Sequence, residues 1–184
     1  MKYLILLALL SFNSLAEDKW SFELDLTQVE IEHAWRGPDN YAQFDGSLSG
    51  VGVTSWHDSG FGARLSYLQG KDLSTEGKYE GITIQLKYIA GLELLYKHRL
   101  TESLWVYGGI GTYLIPLPMD YEGIDPDGHD ANDSDNDEGW LVGAQWDVNE
   151  RWSVGWKFTH YSRIKSSPYD EWTKGHSLNI TYKF

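Results

Sequence analysis

The chain has no cysteine, so no disulfide framework can hold it, and its fold must rely on backbone pairing and packing. It is poor in cations: 15 Lys+Arg stand against 27 Asp+Glu, a formal charge of −12. That deficit excludes a nucleic-acid partner, because phosphates are bound by surplus Lys and Arg. No run of about eighteen apolar residues is present, so no helix can span a bilayer. Helical spacing of apolar residues is also hard to find. What the chain has instead is aromatic and small residues: 9 Trp, 12 Tyr and 19 Gly in 184 residues, a length that suits one domain. A mean hydropathy of −0.43 does not exclude a membrane strand protein, since averaging hides strands that are apolar on one face only.

The first sixteen residues read as a secretory signal peptide. Lys2 supplies the basic start, Leu4 to Leu10 an unbroken apolar run, and Ser14-Leu15-Ala16 the small residues that a signal peptidase needs. The expected domain organisation is therefore residues 1–16 as leader and 17–184 as one β domain.

From Trp20 onward apolar residues recur at every second position, the period of a strand with one apolar face. The first strand sets Trp20, Phe22, Leu24 and Leu26 against Ser21, Glu23, Asp25 and Thr27. A glycine-rich second runs from Ala42 to Trp56, and the third sets Phe61, Ala63, Leu65 and Tyr67 against Gly62, Arg64, Ser66 and Leu68. The fourth reads Ile82 through Tyr96 on even positions, opposite Thr83, Gln85, Lys87, Glu93 and Lys97. The fifth, Leu104 to Ile115, is apolar on both faces. The sixth carries Trp140, Val142, Ala144 and Trp146; the seventh Trp152, Val154, Trp156 and Phe158; the eighth Leu178, Ile180, Tyr182 and Phe184. Connections after strands two, four and six are short and the others longer, which predicts an all-β fold: an eight-stranded antiparallel up-and-down transmembrane β-barrel with its tight turns at one end.

An eight-stranded barrel has room inside only for side chains. The polar rows then face inward, with Glu23, Asp25, Arg64, Lys87, Glu93 and Lys157 as a charged plug, and the apolar rows meet hydrocarbon. Trp20, Trp56, Phe61, Tyr96, Trp105, Trp146, Trp152 and Phe184 lie at strand ends beside a short turn or a terminus, so they are expected to form one interfacial girdle.

Gly139 to Ala144, Asn149 to Gly155 and Tyr107 to Gly111 resemble strands and turns of the OmpA-like and OmpX-like family of small outer-membrane barrels. The resemblance implies an integral monomer in the outer membrane of a Gram-negative bacterium, in contact with lipid and lipopolysaccharide, with a structural or surface-interaction role. The alternating stretch His176 to Phe184, ending on an aromatic, resembles the C-terminal signal read by the barrel assembly machinery.

Two groups of residues offer chemistry. His160 and Ser162, two apart, share the outward face near the external rim, where an imidazole can activate a hydroxyl. His160-Tyr161-Ser162 resembles the His-x-Ser of lipid A deacylase barrels, which implies Ser162 as nucleophile and His160 as base; the orienting acid is expected on the last strand, where this chain has His176, with Glu171 nearby. Between Pro116 and Glu138 stand nine acids and no Lys or Arg. Asp125, Asp127, Asp130, Asp133, Asp135 and Asp137 have spacing that suits Ca²⁺, the one cofactor considered, and a solvated acidic loop is the alternative reading. Three roles stay open: a scaffold or interaction barrel, which is not an enzyme; a lipid A 3-O-deacylase-like esterase; and a narrow passive pore.

Overall fold

The computed structural model describes residues 19–34, 41–70, 72–75, 83–115, 136–161 and 171–184. The expected leader lies outside them. Ten strands follow in chain order: β1 Lys19–Ala34, β2 Tyr41–Trp56, β3 Phe61–Gln69, β4 Asp72–Thr75, β5 Thr83–Gln85, β6 Tyr88–Arg99, β7 Leu104–Leu114, β8 Asn136–Asp147, β9 Trp152–Tyr161 and β10 Glu171–Lys183. Each neighbouring pair is antiparallel, and β1 pairs with both β10 and β2, so the sheet closes on itself. β4 and β5 continue β3 and β6 past a short break, which makes an eight-stranded wall. Closure gives each of the eight long strands a partner on both sides, the condition for crossing a bilayer with strands.

Turn chemistry fixes the tight end. Asn149 Oδ1 accepts from the backbone N–H of Arg151 and Trp152, both at 2.9 Å, and Thr101 Oγ1 accepts from Leu104 N–H at 3.0 Å. In the turn between β2 and β3 Gly60 adopts φ of +92°, a conformation costly for any residue with a Cβ.

Facing follows the alternation over most of the wall. Ser21, Glu23, Asp25 and Thr27 are buried in the lumen while Leu24 and Leu26 are exposed on the outside. Arg64, Glu93, Lys157, Ser177, Asn179 and Thr181 are buried too, and Leu65, Leu94, Val142, Trp156, Leu178 and Ile180 face out. The doubly apolar β7 turns Tyr113 inward and Ile110 outward. Glycines on the lumen face make room for large neighbours: a Cβ on Gly52 would lie 2.7 Å from Arg64 Nε and 2.9 Å from Arg64 Nη2.

Three expectations are corrected. Lys87 is exposed and does not join the plug, because the break at Leu86–Lys87 shifts the alternation by one: Leu86 is buried, Lys87 is out and Ile89 is in. The girdle is smaller than eight residues, since Trp56 and Trp105 lie on the lumen-facing rows and close the mouth at the turn end; Trp20, Phe61, Tyr96, Trp146, Trp152 and Phe184 do face outward.

The third concerns the plug, which is charged only in part. On β1 the inward row runs Ser21, Glu23, Asp25, Thr27 and then Val29 and Ile31, while the outward row runs Leu24, Leu26 and then Gln28 and Glu30. Polarity inverts at residue 28. The inversion recurs on β2, where Phe44 and Leu48 point in and Ser47 and Ser49 out, whereas nearer the turns Val51 and Val53 point out. From Trp20 to Leu26 the Cα levels are roughly 16 Å apart at ~3.4 Å rise and ~40° tilt, and end side chains extend this toward the apolar band of about 25 Å that such barrels present. Beyond residue 28 the wall is built like a soluble barrel, with apolar residues inside.

Candidate functional site

Inside the apolar band, Arg64 is the hub of the lumen. Its side chain is 1% exposed, with Nη2 2.5 Å from Asp25 Oδ2 and 3.0 Å from Glu23 Oε1, and Nη1 3.4 Å from Glu93 Oε2. Lys157 Nζ reaches Asp25 Oδ1 at 3.3 Å and Glu23 Oε1 at 3.9 Å. Alternation explains the cluster: Glu23 and Asp25 are two apart on β1, and Arg64 pairs in register with Glu93 on the neighbouring β6. Two buried cations therefore meet three buried carboxylates in a space without bulk water, where each charge needs the others to offset its desolvation.

At the turn end Lys97 Nζ sits 4.3 Å from the centre of the Trp56 ring and 5.1 Å from that of Trp105, a cation–π sandwich across the mouth. Trp105 Nε1 donates to Asp147 Oδ2 at 3.0 Å, and Asp147 Oδ1 accepts from Ser153 Oγ at 2.8 Å and Lys183 Nζ at 2.5 Å. The odd-position phase of β7 and the even-position phase of β2 carry the signal for this arrangement: Trp105 shares a row with Tyr107, and Trp56 with Thr54.

At the other end His160 faces outward, as its phase requires, with its ring centre 5.5 Å from that of Trp140. Its cross-strand partner on β10 is Lys174, which ion-pairs with Glu30 at 3.9 Å. His176 lies opposite Phe158, its ring 4.9 Å from the Phe158 ring and 5.9 Å from that of Trp156. His160 thus stands at the level where the outward face changes from apolar to polar, with Lys174 at its cross-strand position. Ser162 lies outside the described residues, as do Asp125, Asp127, Asp130, Asp133 and Asp135. Glu171 and Asp137 are placed on strands β10 and β8 by their backbone only. Among the described residues no three His, Asp or Glu are grouped to hold a metal.

An inside-out polarity band on a closed eight-stranded wall, tight turns at one end and a filled lumen define the class. Residues 3–184 match the family described as outer membrane protein beta-barrel domain. The chain belongs to that family. No curated protein matches the chain in sequence. Solved structures share its fold at low identity. Neisserial surface protein A is 12% identical with a TM-score of 0.60, covering 90% of this chain and 97% of its own. Ail, the attachment invasion locus protein of Yersinia pestis, is 14% identical with a TM-score of 0.53, covering 92% and 100%. AlkL, determined in lipid bilayers, is 12% identical with a TM-score of 0.53, covering 91% and 90%. The family membership identifies the outward apolar band of this outer-membrane barrel as its lipid-facing surface, and the turn end as the periplasmic end.

Proposed function

We propose that this outer-membrane barrel is a non-conducting surface scaffold that acts through its external connections, above all the acidic segment between Pro116 and Glu138. The observation that carries the reading is the filled lumen. A buried ion network occupies the membrane level, and above it Val29, Ile31, Phe44, Leu48, Leu73 and Leu86 are at most 1% exposed. A pore needs a continuous wet path, and neither layer offers one. The acidic connection suits a cationic partner, either Ca²⁺ or a basic surface. Of the proteins similar in fold, one is by name a surface protein of Neisseria and another an attachment invasion locus protein. Planar-bilayer recording on folded protein, identified by its shifted gel mobility before heating, is expected to show no current steps; regular steps would overturn the reading. Cells displaying a variant with residues 120–134 replaced by a Gly-Ser connection are expected to lose adherence to a polylysine-coated surface, and unchanged adherence would remove the acidic segment from the account.

The outward position of His160 at the edge of the apolar band supports a second reading, a lipid A acyl-ester hydrolase. Lys174 holds the cross-strand position, so the carboxylate that orients a base of this kind would have to come from another position.

A further inference from the structure

The membrane-level lumen is not packed to completion. A cavity of ≈ 10 Å³ lies between the ion network and the periplasmic mouth, lined by Glu23, Thr54, Trp56, Arg64, Asn179 and their neighbours. That is about the space that the centre of one water molecule occupies. Three of the side-chain atoms that the fold buries without a hydrogen-bond partner belong to residues lining this cavity: Glu23 Oε1, Arg64 Nε and Asn179 Nδ2. Glu23 Oε1 is ion-paired to Arg64 but not aligned for a hydrogen bond. Together they offer one acceptor and two donors, a set that the two donors and two acceptors of a single water can match. A simple anion would face the Glu23 carboxylate, and a simple cation would face the Arg64 guanidinium, so neither suits the whole set.

Above the network the lining changes character. Val29, Phe44, Leu48, Leu68, Leu73 and Ile89 belong to one buried apolar cluster, none more than 5% exposed. The cluster also holds Tyr113 and Tyr161, and Tyr113 Oη is a fourth buried atom without a hydrogen-bond partner, close to Gly111 and Glu93 at the edge of the ion network. Among the aliphatic side chains a water would find no polar side-chain partner, so that part of the layer stays dry.

We infer that the lumen is a two-compartment interior: a hydrated vestibule on the periplasmic side that binds one ordered water between Glu23, Arg64 and Asn179, and a dewetted apolar barrier that separates it from the cell surface. The barrier lies where polarity inverts along β1 and β2, so it sits beyond the hydrocarbon band. Trp56, which lines the cavity, and the Lys97–Trp105 contact beside it close the vestibule at the periplasmic end. The inference rests on the closed-lumen reading, but its test is separate: current through the wild type would remove that reading, whereas hydration is read by NMR.

The probe is water itself. With the protein in lipid nanodiscs, cross-peaks to water are expected at Arg64 Nε–H and the Asn179 side-chain amide, and none at the methyls of Leu48, Leu68 or Ile89. Resolved Arg64 and Asn179 signals without water contacts, or water contacts at those methyls, would overturn the inference. In Leu48→Ser, water cross-peaks are expected to appear at the Leu68 and Ile89 methyls; a folded variant that stays dry there would show that Leu48 does not hold the barrier. If Leu48→Ser fails to fold, the wild-type contacts alone decide the matter.

Discussion

Removing Arg64 should be the most damaging single change in the barrel wall. In Arg64→Met the side-chain volume is nearly kept, but Glu23, Asp25 and Glu93 lose the guanidinium that lies 2.5 to 3.4 Å from them. Only Lys157 then remains, 3.3 Å from Asp25 and 3.9 Å from Glu23, and Glu93 is left with a hydrogen bond from Ser66 Oγ at 3.3 Å. Breaking a buried ion pair by taking one partner away costs about 3–5 kcal/mol, which is a factor of a hundred or more in the folded-to-unfolded ratio. Neutralising the partners as well should restore much of the loss, because a buried set replaced as a whole is often neutral or stabilising. The assay is urea unfolding in phosphatidylcholine vesicles, followed by Trp fluorescence and by heat-dependent gel mobility. Arg64→Met is expected to lose about 3–5 kcal/mol, and Arg64→Met with Glu23→Gln and Asp25→Asn to recover at least half of it. An Arg64→Met barrel within about 1 kcal/mol of wild type would refute the view that this network is a mutually dependent charge set.

Gly52→Val should unfold at lower urea, by about 1–3 kcal/mol, because its Cβ alone would come within 3.0 Å of two Arg64 atoms; unchanged stability would mean the network shifts freely. Lipid A from cells making Ser162→Ala should have the same mass spectrum as lipid A from cells making wild type. An acyl chain lost only with wild type would establish the hydrolase instead. Calorimetry with Ca²⁺ should show millimolar or tighter binding that disappears when Asp125, Asp127, Asp130, Asp133, Asp135 and Asp137 are changed to Asn. Absence of heat with wild type would leave the segment a solvated acidic loop.

The alternation at Trp20 to Thr27, Phe61 to Leu68 and Ser177 to Phe184 makes the barrel and most of its facing legible in the sequence, since a period of two on one closed wall leaves little freedom. Glu23, Asp25, Arg64, Glu93 and Lys157 were readable as the plug for the same reason. The rule that polar residues point in and apolar ones out holds only where hydrocarbon surrounds the wall. Val29 and Ile31 continue the row of Glu23 and Asp25, and their burial depends on where the membrane ends along the strand. Gln28 and Glu30 beside them carry that signal. Leu86–Lys87 was missed because a shift of one residue is set by pairing, Gly70 N–H donating to Lys87 C=O at 2.9 Å, and not by side-chain pattern. Residue type alone points Trp56 and Trp105 to the girdle, whereas their row places them in the mouth beside Lys97. His160 was legible as outward, but its neighbour Lys174 becomes visible only from the β9–β10 register.

The central claim is that the exposed apolar wall meets lipid, and Ile180 tests it most directly. It is 50% exposed and pairs with Leu24, within the apolar band that Trp20 to Leu26 define on β1. On the surface of a soluble protein, replacing such an isoleucine by arginine changes stability by about 0.5 kcal/mol or less. On the lipid face of a barrel near the midplane the same change costs about 2–4 kcal/mol. Urea unfolding of Ile180→Arg in phosphatidylcholine vesicles should therefore show the larger loss. A variant as stable as wild type would contradict the inside-out barrel on which the rest of the account depends.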